Sequence, residues 1–110
     1  MIKIEYATTF LRDMKKMQKK NPQVYEEIKK LCFEDLPTYS TLADIPQVKK
    51  LVGYTDYYRI RIGSYRIGFK RERVEIDVDL EIKDENKKTL DKLQLLRVLH
   101  RKDIFKYFPS

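Results

Sequence analysis

A chain of 110 residues with 42% hydrophobic content can bury one modest core and hardly two, so a single domain over residues 1–110 is expected. The formal net charge of +7 favours a polyanionic or acidic partner, while three Gly and four Pro leave no low-complexity tract. No apolar run reaches membrane-spanning length, so no membrane partner is expected. The single cysteine, Cys32, excludes an internal disulfide and suits a reducing cytoplasm as a buried structural thiol.

In chain order, residues 2–6 alternate as a short strand rather than reading as a signal peptide. Thr8 or Thr9 is placed to cap a helix in which Phe10, Met14 and Met17 recur at helical spacing, with Lys15, Lys16, Lys19 and Lys20 along its far side and end. Asn21-Pro22 reads as a cap followed by proline at the first helical position, and Val24, Ile28, Leu31, Cys32 and Leu36 stripe a second helix that Pro37 stops. With so short a link the two helices form an antiparallel hairpin on one face of a sheet. Residues 38–56 read as loop with one helical turn, punctuated by Pro46 and Gly53, and Lys49 and Lys50 lie within it.

Residues 57–71 then alternate polar and apolar on both sides of Gly63-Ser64, which predicts two short strands and a tight turn. Arg59 and Arg61 share one face and Tyr58, Ile60 and Ile62 the other; past the turn Arg66, Gly68 and Lys70 oppose Tyr65, Ile67 and Phe69. A further strand is predicted over Val74 to Ile82, with Glu75, Asp77, Asp79 and Glu81 on its other face, followed by a polar turn at 84–88. Leu93 to Leu99, apolar on both faces, reads as an interior strand that delivers His100 and Arg101 beside the hairpin, and 102–110 reads as a short helix or extended tail.

The charge excess is local. Residues 57–71 hold Arg59, Arg61, Arg66, Lys70 and Arg71 with no acid, and 97–110 hold Arg97, Arg101, Lys102 and Lys106 against Asp103 alone. Nothing in the chain matches a glycine-rich nucleotide loop, a zinc-type Cys/His cluster or a carboxylate metal site, so neither a metal nor another cofactor is expected. What is available is cationic chemistry. Guanidinium groups bind phosphate oxygens in pairs and stabilise the charge that builds during phosphoryl transfer. His100 is the one side chain whose ordinary titration range lies near neutrality. RNA phosphodiester cleavage suits such a set, because the 2′-hydroxyl is an internal nucleophile that requires only a base, cations for the phosphorane and an acid for the departing 5′-oxygen.

The run Tyr58-Arg59-Ile60-Arg61-Ile62-Gly63-Ser64-Tyr65-Arg66-Ile67, followed by His100-Arg101-Lys102-Asp103-Ile104, resembles the RelE branch of the RelE/ParE superfamily of bacterial type II toxin–antitoxin systems. The resemblance spans nearly the whole chain and includes the Lys49-Lys50-Leu51-Val52-Gly53 segment. It implies a compact α/β (α+β) fold like the microbial RNases, an antiparallel sheet with two N-terminal helices packed on one face. It implies an endoribonuclease that cuts messenger RNA in the ribosomal A site, a cognate antitoxin that neutralises it, and contact with operator DNA only through that antitoxin. By the same resemblance Arg61, Arg66, His100, Arg101 and Tyr107 are the expected catalytic residues, and Lys49, Lys50, Arg59 and Phe105 the expected RNA-binding ones. Phe105 departs from the tyrosine of many relatives and keeps only the capacity to stack; Tyr107, six residues after Arg101, supplies the hydroxyl at a longer spacing seen in some relatives. An acidic tract over 81–90 is a second departure, expected to form an extended hairpin. Two further readings stay open: a gyrase-poisoning toxin of the ParE branch, and a non-catalytic module whose basic face only recruits nucleic acid or an acidic partner.

Overall fold

The computed structural model describes residues 2–77 and 87–109, and the strand, turn and acidic tract expected over 78–86 lie outside them. The sheet has the order β1-β5-β4-β3-β2, formed by β1 (Lys3–Tyr6), β2 (Val48–Lys50), β3 (Tyr57–Ile62), β4 (Tyr65–Asp77) and β5 (Lys87–His100). It is antiparallel except at β1, which adds in parallel to β5 with Ile4 opposite Leu93. Among the described residues three α-helices accompany it: α1 (Thr8–Lys20), α2 (Pro22–Lys30) and a C-terminal turn α3 (Ile104–Tyr107). None of the described helices is long and apolar enough to cross a membrane.

The helix hairpin forms as its caps and stripes dictate, with one change. Asn21 Oδ1 accepts from the Val24 amide at 3.3 Å, and Pro22 opens α2. At the start of α1, however, the N-cap is Ala7 without a side-chain bond, and the expected Thr8/Thr9 cap does not form. Thr9 lies inside the helix and donates to the Leu96 carbonyl at 2.7 Å, tying α1 to β5 across the sheet edge. The second helix continues beyond α2 as a π-helical segment Leu31–Asp35 and a 3₁₀ turn Leu36–Thr38, so Pro37 sits inside the last turn and the helical path ends just past it, at Thr38.

One helical turn, Leu42–Asp44, does occur in the 38–56 stretch, but Val48–Lys50 is a strand rather than loop. It pairs antiparallel with β3 at the sheet edge, where three residues suffice and local pattern is too short to read. The two strands expected on either side of Arg71 are likewise one continuous β4, since Arg71-Glu72-Arg73 carries no turn chemistry. Its pairing with β5 persists from Tyr65 opposite His100 to Asp77 opposite Lys87, so Lys87 and Lys88 belong to strand, not turn.

Between Gly68 opposite Arg97 and Phe69 opposite Leu95 the ladder skips Leu96, a β-bulge in β5. The bulge exchanges the faces: Leu93 and Leu95 are buried before it and Val98 after it. That exchange explains why β5 reads as apolar on both sides, and β5 is indeed interior to the sheet. On the helix face, Phe10, Met14, Met17, Ile28, Cys32 and Leu36 close over Ile60, Ile67, Phe69, Leu93, Leu95 and Val98. Each large side chain so buried contributes about 1.5–3 kcal/mol. The opposite face holds a smaller cluster in which Leu51, Ile104 and Phe108 meet Tyr57, Leu96 and Leu99. The C-terminal segment thus lies on the face that carries the arginines.

Candidate nucleic-acid interface and active site

Strand alternation sets out the cationic face. Arg59 stands opposite Gly68 and Arg61 opposite Arg66, and these register rows continue to Arg97 and Leu99 of β5. Arg101 follows β5 on the same parity as Leu99, and its amide donates to the Ser64 carbonyl at 2.7 Å, which closes the strand end onto the β3–β4 turn. Gly63, at φ 53°, supplies the left-handed backbone that this turn requires. The Arg66 guanidinium is braced by donating from Nη1 to the carbonyls of Gly63 and Tyr65, both at 2.9 Å.

The arginines converge. Burial and then the neighbouring guanidiniums of Arg59, Arg61 and Arg101 push Arg66 below the ordinary arginine range. Among the described residues none of these four has a carboxylate partner, whereas Arg71 pairs with Asp56, Arg73 with Asp91, Arg97 with Asp13 and Lys92 with Glu5. Uncompensated like charges held together can take up an anion such as a phosphate, which would remove their mutual repulsion. Two cations of the 57–71 run stand outside the cluster: Arg71 stacks on Tyr58 at 5.5 Å, and Lys70 lies 5.8 Å from the Tyr57 ring.

Beside the cluster, sharing Arg59, lies a groove of about 390 Å³ lined by Lys49, Lys50, Leu51, Val52, Tyr54, Arg59, Phe105, Phe108 and Pro109. Lys49 pairs with Arg59 across β2–β3 and faces the same way, while Lys50, opposite Tyr58, reaches the groove from the strand edge. All four residues expected to bind RNA therefore meet here. Phe105 and Tyr54 are exposed aromatics at its rim, suited to stacking on unpaired bases. Tyr54 escaped the sequence reading, although its position directly after Gly53 in a loop is the kind of exposed aromatic that signals binding.

His100 ends β5 opposite Tyr65, beside the charged hairpin as expected, but its side chain lies on the face away from the arginines. Successive strand residues face opposite sides, so His100 turns away from Arg101 toward the helix face. There its ring meets Tyr65 edge-on at 5.5 Å, its Nδ1 accepts from the Lys102 amide at 3.1 Å, and it lines a hollow with Asp13, Lys16, Lys20 and Asp103. Tyr107 is exposed on the arginine side, its ring 5.7 Å from the Arg97 guanidinium carbon. Phe108, between Phe105 and Tyr107 in the fold, packs directly over Gly68: a Cβ there would stand 2.7 Å from the ring carbons. Among the described residues no group of His, Cys, Asp and Glu is arranged to hold a metal ion.

No protein-family model matches the chain. Toxin RelE3 of Methanocaldococcus jannaschii is 36% identical over 109 residues, which cover 98% of this chain and 100% of that protein. Among solved structures, the toxin–antitoxin complex RelBE2 of Mycobacterium tuberculosis aligns with a TM-score of 0.56 at 22% identity, over 91% of this chain and 98% of that one. The RelB–RelE antitoxin–toxin complex of Methanococcus jannaschii aligns at 30% identity and a TM-score of 0.46, over 96% of this chain and 99% of that one. The mixed five-stranded sheet with its helix hairpin is the RelE-like fold. With identity of that extent over the full length of a RelE toxin, the chain belongs to the RelE family of type II toxin–antitoxin toxins.

Proposed function

We propose that this toxin is a ribosome-dependent endoribonuclease that cuts messenger RNA in the A site by 2′-hydroxyl attack on the adjacent phosphate. The observation that carries the reading is the convergence of Arg59, Arg61, Arg66 and Arg101 without a carboxylate among the described residues. Arg61, Arg66 and Arg101 bind the scissile phosphate and stabilise the phosphorane dianion, a role in which one donor is worth about 10²–10³ in rate. Arg59, Lys49, Lys50 and Phe105 hold the flanking strand in the groove beside it. The 2′-oxygen bonds to phosphorus as its proton leaves, and the bond to the 5′-oxygen breaks as that oxygen gains a proton. The products are a 2′,3′-cyclic phosphate and a 5′-hydroxyl. Tyr107 is the proton-transfer residue on this side of the sheet; His100, on the other, is assigned no part in it.

A cognate antitoxin, the kind of partner named for the similar solved complex, is the protein partner of this toxin. Purified protein added to programmed 70S ribosomes, followed by sequencing of message ends, tests the reading. Cuts within the A-site codon that vanish with Arg61→Ala and Arg101→Ala are expected. Intact message overturns it; DNA breaks trapped on gyrase would then assign the gyrase-poisoning branch instead, and charge-dependent RNA binding without products a recruiting module.

A further inference from the structure

The lysine-rich helix α1 holds one buried carboxylate. Asp13 is 7% exposed and sits beside Phe10, Met14 and Met17 in α1. It accepts three bonds at the free edge of β5, where β1 has ended at Tyr6: from Arg97 Nε at 2.7 Å, from Arg97 Nη2 at 3.1 Å and from the Val98 amide at 3.1 Å. This is a paired, bidentate arrangement, the geometry that fixes a guanidinium plane most firmly. A buried ion pair is weak support for stability, since desolvation offsets much of its attraction, so its geometry matters more than its energy.

The bulge makes the contact possible. Skipping Leu96 in the ladder brings Arg97 to the strand edge, within reach of α1, while Leu96 and Leu99 stay under α3. The guanidinium is then sandwiched in function: Asp13 fixes its edge, and the Tyr107 ring lies 5.7 Å from its central carbon. The Asp13 hydrogen bond, against burial and with a smaller contribution from Tyr107, holds Arg97 above the ordinary arginine value, so it stays a cation in this contact. The Arg97 row, Arg59–Gly68–Arg97, neighbours the Arg61–Arg66–Leu99 row, two residues or roughly 6.6 Å along the strands.

We infer that Asp13 and Arg97 are positioning residues, which hold the Tyr107 ring against Arg97 so that its hydroxyl meets the RNA during proton transfer. The inference rests on the assignment of Tyr107 under the proposed function. Neither residue touches the reacting phosphate; Asp13 orients Arg97, and Arg97 orients Tyr107.

A double-mutant cycle measured as single-turnover cleavage on programmed 70S ribosomes tests this. Tyr107→Phe is expected to lower the maximal rate about 100-fold, a size typical of lost general acid–base catalysis. Arg97→Ala is expected to lower it about 10- to 100-fold through misplacement, with the toxin concentration at half-saturation unchanged. Arg97→Ala added to Tyr107→Phe should cost nothing more. Because Arg97→Ala strands Asp13, the charge-free pair Asp13→Leu/Arg97→Met is measured as well, with thermal melting to establish that it folds. It should show the same rate loss and the same silence in the Tyr107→Phe background. Wild-type rates in both Arg97 variants alongside a slow Tyr107→Phe overturn the inference alone, as does an undiminished Arg97 effect in the Tyr107→Phe background. A wild-type rate for Tyr107→Phe overturns the tyrosine's assignment and the inference with it.

Discussion

Arg61 and Arg66 stand directly opposite one another across β3 and β4, two cations in a cross-strand position where unlike or apolar pairs normally stabilise a sheet. The fold tolerates this repulsion at the place where the message is proposed to bind, and the cost is removable. Arg61→Ala should raise the melting temperature by about 1–4 °C at low ionic strength. The gain should fade in 0.5 M salt, roughly, where exposed charges are screened. The same variant should cut message about 10²–10³-fold more slowly. Scanning calorimetry at two salt concentrations, together with the cleavage rate, reads both; a melting temperature that falls on Arg61→Ala would show the pair is not in conflict.

The groove bounded by Lys49, Arg59 and Phe105 separates charge from stacking in a way that salt titration resolves. Each phosphate contact to a single strand contributes a slope of about −0.7 in the logarithm of affinity against the logarithm of salt. Lys49→Ala should therefore shallow the slope for a short single-stranded RNA by about 0.7. Phe105→Ala should weaken binding by about 1–3 kcal/mol at every salt concentration and leave the slope intact. Fluorescence anisotropy across a salt series distinguishes them, and a slope change for Phe105→Ala would argue against a stacking role.

How much of this was legible beforehand follows from the range over which each signal acts. The α1 and α2 stripes, the Asn21-Pro22 start and the arginine-bearing alternation of 57–70 are local patterns and were readable as such. The convergence of Arg101 with Arg61 and Arg66 depends instead on the bulge at Leu96: unbroken parity from the buried Leu93 and Leu95 would put Arg101 on the helix face and His100 with the arginines. What could not be read depends on pairing between distant segments. The edge strand Val48–Lys50 exists because β3 offers it partners, and the bulge at Leu96 appears only in the register of β5 against β4. The Thr9 bond to Leu96 and the Asp13 bonds to Arg97 span more than eighty residues of sequence. A lone acid on the buried side of a lysine-rich helix was the one available hint of Asp13.

Cys32 offers a test of the helix-face core. It is fully buried beneath the helix hairpin, and burial pushes its thiol from the ordinary 9.0 up to about 12. The native protein should therefore resist alkylation by iodoacetamide at pH 8 and react at once in denaturant. The sign of the linkage also follows. Because the folded value is raised, the contribution to stability is whole below pH 9 and is lost as pH climbs from 9 toward 12, since the unfolded chain ionises first. Urea melts at pH 8 and pH 10.5 should differ in midpoint, and Cys32→Ala should reduce that difference. An equal pH dependence in both proteins would place the titration elsewhere.

Gly68 and Phe108 connect the sheet to the C-terminal tail. Gly68 lies between Arg59 and Arg97 in the register, and the Phe108 ring fills the space a side chain would occupy, with ring carbons 2.7 Å from an added Cβ. Its backbone is not in the left-handed region, so the demand for glycine is steric rather than conformational. Since an aromatic ring cannot bend aside, Gly68→Ala should displace Phe108 and cost about 1–3 kcal/mol, the usual penalty for overpacking. The same displacement moves α3, which carries Phe105 into the groove and Tyr107 over Arg97, so cleavage should slow by a factor of ten or more, of the order expected for misplaced groups. Phe108→Ala empties the space and is itself destabilising, but in its background Gly68→Ala should cost almost nothing further. Melting temperatures of the four proteins close this cycle. Strict additivity of the two substitutions would mean that the ring and the glycine do not share the contact on which the placement of the C-terminal aromatics depends.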